Sequence, residues 1–95
     1  MIKIVIAGPH PIIYKGVKSF FRNSTEISVI GKTINFLELL NFLDSKKIDI
    51  VLLEIDLPGL DGLQVIKSLK VRFHYVNFLI FSSLSISIIS PFLTI

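Results

Sequence analysis

The chain has no cysteine. Disulfides and thiolate-bound zinc are therefore excluded, which is compatible with a cytoplasmic location. It also has no concentrated positive charge. Its ten Lys and Arg residues give a formal charge of +3 but are scattered from Lys3 to Arg72. Without a basic run there is no nucleic-acid arm, and the lysines read as solvated helix faces. Aromatic residues interleaved with lysine, the pattern that binds single strands, are missing too. Charge of either sign stops at Arg72, and Phe73 to Ile95 is uncharged and rich in Ile, Leu, Phe and Ser. Such a length can cross a bilayer, but five serines, Asn77, Thr94 and Pro91 argue against a span. A secretory leader is not expected either, because Lys3 interrupts the first apolar stretch and Gly8-Pro9 follows at once. His74, between Phe73 and Tyr75, has no partner at a recognisable spacing. No nucleophile–base pair or metal cluster stands out, so an enzyme is not expected.

What is present is a regular alternation of strands and helices. With 95 residues, 52% of them apolar, the chain can form one small domain with a core. Ile2 to Ala7 reads as a buried strand. Pro11 suits the first turn of a helix, whose apolar face is Ile13, Val17, Phe20 and Phe21 at i, i+4, i+7 and i+8. Asn23-Ser24-Thr25 ends it, and Ile27 to Ile30 is a second strand closed by Gly31. Asn35 and Glu38 have the spacing of a capping box, ahead of a buried face made by Phe36, Leu39, Leu40 and Leu43. Ile48 to Ile55 is the third strand. A helix from about Asp61 to Lys70 follows, with Leu63, Ile66 and Leu69 on one side and Asp61 as its cap. Val76 to Phe81 is the fourth strand. This βαβαβαβ order implies an α/β domain, a doubly wound parallel sheet of the flavodoxin-like kind.

Glu54 is the most informative residue. The continuous apolar run before it, Ile50-Val51-Leu52-Leu53, is that of a parallel strand covered on both faces. Sites in such sheets lie just beyond the carboxyl ends of the strands. Position alone is equally consistent with a carboxylate marking a solvated strand end.

Two segments carry a family resemblance. Met1 to Val17 contains MIKIVIAGPHP and then Ile12-Ile13-Tyr14-Lys15-Gly16-Val17. Ile50 to Lys67 contains IVLLEIDLPGLDG and then LQVIK. Both resemble the receiver domain of response regulators of the LuxR/NarL type, over roughly Met1 to Ser83. The resemblance implies the CheY-like fold with strand order 2-1-3-4-5, a role in phosphorelay signal transduction and a sensor histidine kinase as partner. It makes Glu54 the equivalent of the phosphoacceptor Asp, and Gly8 and Pro9 the equivalents of the acidic pair that holds Mg²⁺. Ser82 corresponds to the switch hydroxyl, and Asp56 to the position whose backbone carbonyl touches the metal. His10-Pro11 corresponds to a helix-entry element.

The departures change the expected chemistry. Neither Gly8 nor Pro9 has a side-chain oxygen, so Mg²⁺, which wants oxygen ligands in octahedral geometry, is expected to bind weakly or not at all. Glu is one methylene longer than Asp, which misplaces the attacking oxygens. Phosphoryl acceptance is therefore expected to be lost. A Glu can instead partly imitate the charge of a phosphorylated Asp, with Ser82 as its hydrogen-bond partner. Two alternatives accompany this reading: a pseudo-receiver that docks partners without phosphorylation, and a non-functional gene remnant. The family fold also needs a fifth strand, with its Lys, and a fifth helix. Residues 84–95 form an uncharged apolar tail in their place, an ending that a frameshift after Ser83 would explain. The expected result is an incomplete receiver of about four strands and three helices over residues 1–83. It would have an exposed edge at the fourth strand, a tendency to self-associate and no DNA-binding domain of its own.

Overall fold

A computed structural model describes residues 1–82 and the backbone of residues 88–90. The elements are β1 (Ile2–Ala7), α1 (Pro11–Phe21), β2 (Ile27–Thr33), α2 (Phe36–Ser45), β3 (Ile50–Glu54), α3 (Gly62–Arg72), β4 (Asn77–Phe81) and β5 (Ile88–Ser90). They form one sheet in the order β2-β1-β3-β4-β5. The first four strands are parallel, as the alternation with helices requires. The side chain of Leu63 and the proposed boundary at residue 83 lie outside what is described.

The fifth strand differs from the family's pattern. Within the stretch expected to be an apolar tail, Ile88–Ser90 pairs antiparallel with β4 through Ile80↔Ser90 and Phe81↔Ile88. A parallel return needs a crossover of about a dozen residues or more, and the link between Phe81 and Ile88 is too short for one. The edge of β4 expected to be open is therefore covered at Ile80 and Phe81.

Two strands also depart from the sequence reading. β2 does not stop at Gly31 but continues to Thr33, with a register shift that leaves Ile30 unpaired between Val29 and Gly31. Gly31 is there because the Phe42 ring of α2 lies close, and a Cβ at this position would come within 2.8 Å of it. β3 is shorter than expected: Ile48 is buried ahead of it and Ile55 is exposed beyond it.

The main core lies on one face of the sheet. Val5, Ala7, Val51, Leu53, Phe78 and Ile80 point into it, against Leu39 and Leu43 of α2 and Ile66 and Leu69 of α3. On the opposite face Ile4 and Ile6 are buried, but Ile50, Leu52, Leu79 and Phe81 are only half-buried. Helix α1 neighbours β2 and has no fully buried residue. Ile13, Val17 and Phe21 are half-buried, whereas Phe20, expected on the inner face, is 80% exposed.

The caps divide in the same way. Asn35 Oδ1 accepts from the Glu38 amide at 2.8 Å, and Glu38 Oε1 accepts from the Ile34 amide at 2.9 Å, a capping pair of the expected kind. Asp61 stands at the N-cap position of α3 without a side-chain cap bond. The chain enters α3 instead through Gly59 and Gly62, both at positive φ, and the Phe36 amide ties this turn to α2 by donating to the Pro58 carbonyl at 2.8 Å.

Candidate functional site

The pairing of β1 with β3, in register from Ile4↔Ile50 to Ala7↔Leu53, brings Gly8 beside Glu54 at the carboxyl edge of the sheet. The backbone there is fixed from both sides. The Gly8 amide donates to the Thr33 carbonyl at 2.9 Å, and the Ile55 amide donates to the Phe81 carbonyl at 2.9 Å. The topology therefore assembles the tips of the first, third and fourth strands, where the sequence placed the site.

Glu54 does not mark a solvated strand end. It is 0% exposed. Oε2 lies 2.6 Å from His10 Nδ1, and Oε1 is buried with no hydrogen-bond partner. The side chain fills the space beside Gly8: a Cβ on Gly8 would stand 2.2 Å from Glu54 Oε1, 2.7 Å from Cδ and 2.9 Å from Cγ. Any larger residue at position 8 would have to displace the carboxylate. The extra methylene of Glu54 and the missing side chain of Gly8 are thus two halves of one packing arrangement.

His10 has a larger part than the helix-entry role expected of it. It does stand at the N-cap position of α1, with an extended backbone and no side-chain cap bond. Its ring, 45% exposed, turns back to Glu54. The hydrogen bond to Glu54 raises the His10 pKa above its ordinary value of 6.5, with the charges of Glu54 and Asp56 adding to the effect and desolvation opposing it. With a proton on Nδ1, the ring donates to Oε2. Reading by sequence missed this pair because the two residues are 44 positions apart. The available signal was a histidine in the loop after β1, facing a carboxylate at the tip of the neighbouring strand.

The other site residues divide. Asp56 is exposed, but His10, Glu54 and Asp56 each offer a ligand atom within 4.8 Å of the others. Ser82 is half-buried directly after Phe81, the register partner of Glu54. Ser82 takes part in an interaction of its own, and Glu54 Oε2 is paired with His10. Pro9, half-buried, supplies neither a side-chain oxygen nor an amide proton. A magnesium site of the acidic-pair kind does not fit these residues. Positions 8 and 9 carry no ligand, and the space an acid at position 8 would need is taken by Glu54.

The family model for the response regulator receiver domain matches residues 4–88. The chain belongs to the response-regulator receiver family. Among curated relatives, it is 36% identical over 83 residues to the uncharacterized transcriptional regulatory protein YhcZ of Bacillus subtilis, covering 87% of this chain and 39% of that protein. It is 29% identical over 82 residues to the Fimbriae Z protein of Escherichia coli, covering 86% and 39%. The nitrate/nitrite response regulator protein NarL of Escherichia coli is 28% identical over 69 residues, covering 73% and 32%. The chain thus spans about two fifths or less of the length of these relatives. Among solved structures, the non-phosphorylated receiver domain of the stress response regulator RcsB from Escherichia coli superposes with a TM-score of 0.79 at 23% identity. It covers 85% of this chain and 64% of that one, and at that identity it supports the fold alone. As a receiver, the chain belongs to two-component signalling, in which receivers act opposite histidine kinases. Among the described residues, no helix is long and apolar enough to cross a membrane.

Proposed function

We propose that this receiver takes up no phosphoryl group and instead presents a fixed signalling surface, with Glu54 as a built-in carboxylate where the family has a phosphorylated Asp. The observation that carries the reading is the fit of Glu54 against Gly8, closed by His10. An in-line phosphoryl transfer needs an accessible nucleophile and a metal that neutralises the transferring oxygens. Glu54 is fully buried, and one of its two oxygens is held by a histidine. Misplacement of a nucleophile by about an ångström already costs on the order of a hundredfold in rate.

Such a pseudo-receiver acts by docking partners rather than by switching. A histidine kinase remains the partner class by family, and a cytoplasmic location follows from that role. The mutual fit of Gly8, Glu54 and His10 favours this reading over a decayed remnant, because two departures from the family pattern, Gly8 and Glu54, meet with His10 in one packed arrangement. The role of Ser82 in this reading is to finish β4 beside the site rather than to follow a phosphoryl group.

The test is incubation with a small phosphodonor in millimolar Mg²⁺, read by intact mass. The expected outcome is an unmodified chain. An added phosphoryl mass that disappears in Glu54→Gln overturns the reading. Restoring uptake requires Gly8→Asp, Pro9→Asp and Glu54→Asp together, since metal and nucleophile act as a unit and an Asp at position 8 does not fit beside Glu54. Recovery by Glu54→Asp alone would refute the account of the missing metal site.

A further inference from the structure

We infer that α1 docks on an anionic lipid surface, with Ile12 and Phe20 entering the interface and Lys15, Lys18, Arg22 and Lys32 meeting the headgroups. The inference is independent of the reading of Glu54.

The first observation is where the net charge lies. The segment from Pro11 to Thr33, which carries α1 and β2, has four cations and one acid, Glu26. The rest of the chain has six of each, so this segment holds the whole formal charge of +3. Its four cations are all exposed. None takes part in the two ion pairs found among the described residues, His10–Glu54 and Arg72–Asp44. Tyr14 gathers two of them: Lys18 Nζ donates to its hydroxyl at 3.1 Å, and Lys32 Nζ lies 5.1 Å from its ring centroid. Clustered cations without counter-ions create a local positive potential that draws in anions.

The second observation is the apolar surface beside them. At 3.6 residues per turn, Ile12, Gly16 and Phe20 form one stripe of α1, and Lys15, Lys18 and Arg22 form another next to it. Both lie outside the half-buried row of Ile13, Val17 and Phe21. Ile12 and Phe20 are 72% and 80% exposed. Between them a Cβ on Gly16 would meet nothing within 4 Å. The Phe20 ring is braced at 4.9 Å by the edge of Phe21. Apolar side chains bordered by Lys and Arg are the pattern of a helix lying in a membrane interface, where buried apolar area and attraction to anionic headgroups act together.

The same two stripes select the occupant. A nucleic acid offers phosphates to the cations but nothing to Ile12. The Tyr14 ring, on which a base would stack, already carries Lys18 and Lys32. A protein partner is fitted by shape, whereas Ile12 and Phe20 stand out from the helix. A fluid lipid surface admits protruding apolar side chains and supplies negative charge in any arrangement.

The test is flotation of the whole chain with phosphatidylcholine vesicles, prepared with and without phosphatidylglycerol. Aggregates sink in the gradient while vesicle-bound chain rises. Wild type is expected to float with the phosphatidylglycerol vesicles, to stay behind with phosphatidylcholine alone, and to be released by salt. Lys15→Gln combined with Arg22→Gln should weaken binding roughly twentyfold, at about fivefold per cation. Phe20→Ser should weaken it by about tenfold. Lys46→Gln combined with Lys47→Gln removes the same charge beyond the end of α2 and should have far less effect. No flotation of wild type overturns the inference and leaves the face to an acidic protein. Equal binding to both kinds of vesicle overturns it as well. So does an equal loss in the Lys46 and Lys47 variant, since bulk charge would then explain the binding. Far-ultraviolet circular dichroism checks that the variants fold. If the Lys15 and Arg22 variant does not, Phe20→Ser, at an exposed position, decides the matter: unchanged flotation there refutes docking through α1.

Discussion

The two faces of the sheet are unequal. On the face under α2 and α3, Val51, Leu53, Phe78 and Ile80 are sealed from solvent. On the α1 face their neighbours Ile50, Leu52, Leu79 and Phe81 are half-buried. Both sets come from the same strands and the same kind of apolar residue, so residue type does not explain the difference. Helix coverage does. Two helices with packed apolar stripes lie over the first face, whereas α1, next to β2, has no fully buried residue. The first face is the more deeply buried of the two, and the second offers apolar surface to whatever covers it.

The sharpest way to break the comparison is to truncate neighbours on opposite faces. Leu53→Ala should cost about 2–5 kcal/mol, as expected for a sealed core leucine. Leu52→Ala should cost roughly 1–2 kcal/mol, since less apolar area is buried there. Equal losses in urea denaturation would mean that the α1 face is as well packed as the other.

The next effect concerns the site, which closes the carboxyl edge of the sheet. Gly8→Ala should destabilise by about 1–3 kcal/mol through overpacking against Glu54. Combining it with Glu54→Ala should recover part of that loss, with a coupling of roughly 0.5–3 kcal/mol. Strict additivity in the double-mutant cycle would show that the two positions do not share one space.

Association is a smaller effect in energy but a visible one in behaviour. Phe20 and Ile12 of α1 are 80% and 72% exposed, and the chain is expected to self-associate through apolar surface of this kind. Sedimentation should show oligomers, shifted toward monomer by Phe20→Ser with little change in stability. A monomer at high concentration in both proteins would remove the α1 face as an association surface.

The smallest expected effect is that of pH. His10 has its pKa raised above 6.5 in the folded state, first by the hydrogen bond to Glu54. A group of this kind contributes stability fully below its unfolded value and loses that contribution as pH rises through the raised folded value. The melting midpoint should therefore fall slightly across that window, and His10→Asn should flatten the fall. A wild-type midpoint that rises over the same window would contradict the pairing.

Much of this was legible in the chain. The alternation of apolar strands with amphipathic helices predicts the parallel sheet, and the capping pair Asn35 and Glu38 forms as its spacing indicates. The site's location was equally legible, because carboxyl ends of parallel strands gather at one edge. Less legible were the ends of elements. Gly31 reads as a stop but lies inside β2, because the approach of Phe42 and the shift at Ile30 depend on a helix distant in sequence. Phe20 reads as core by its period but is 80% exposed.

By itself, then, the sequence determined which segments become strands and helices, and that positions 8, 9 and 54 depart from the receiver pattern, because both are properties of local spacing and residue type. The tertiary structure decided what those departures do. Whether Glu54 reaches solvent, a serine or a histidine depends on which strand tips are neighbours and how much room a glycine leaves between them. Those quantities are set by the register between β1 and β3, and the stretch between His10 and Glu54, which are 44 positions apart, contains no local trace of them.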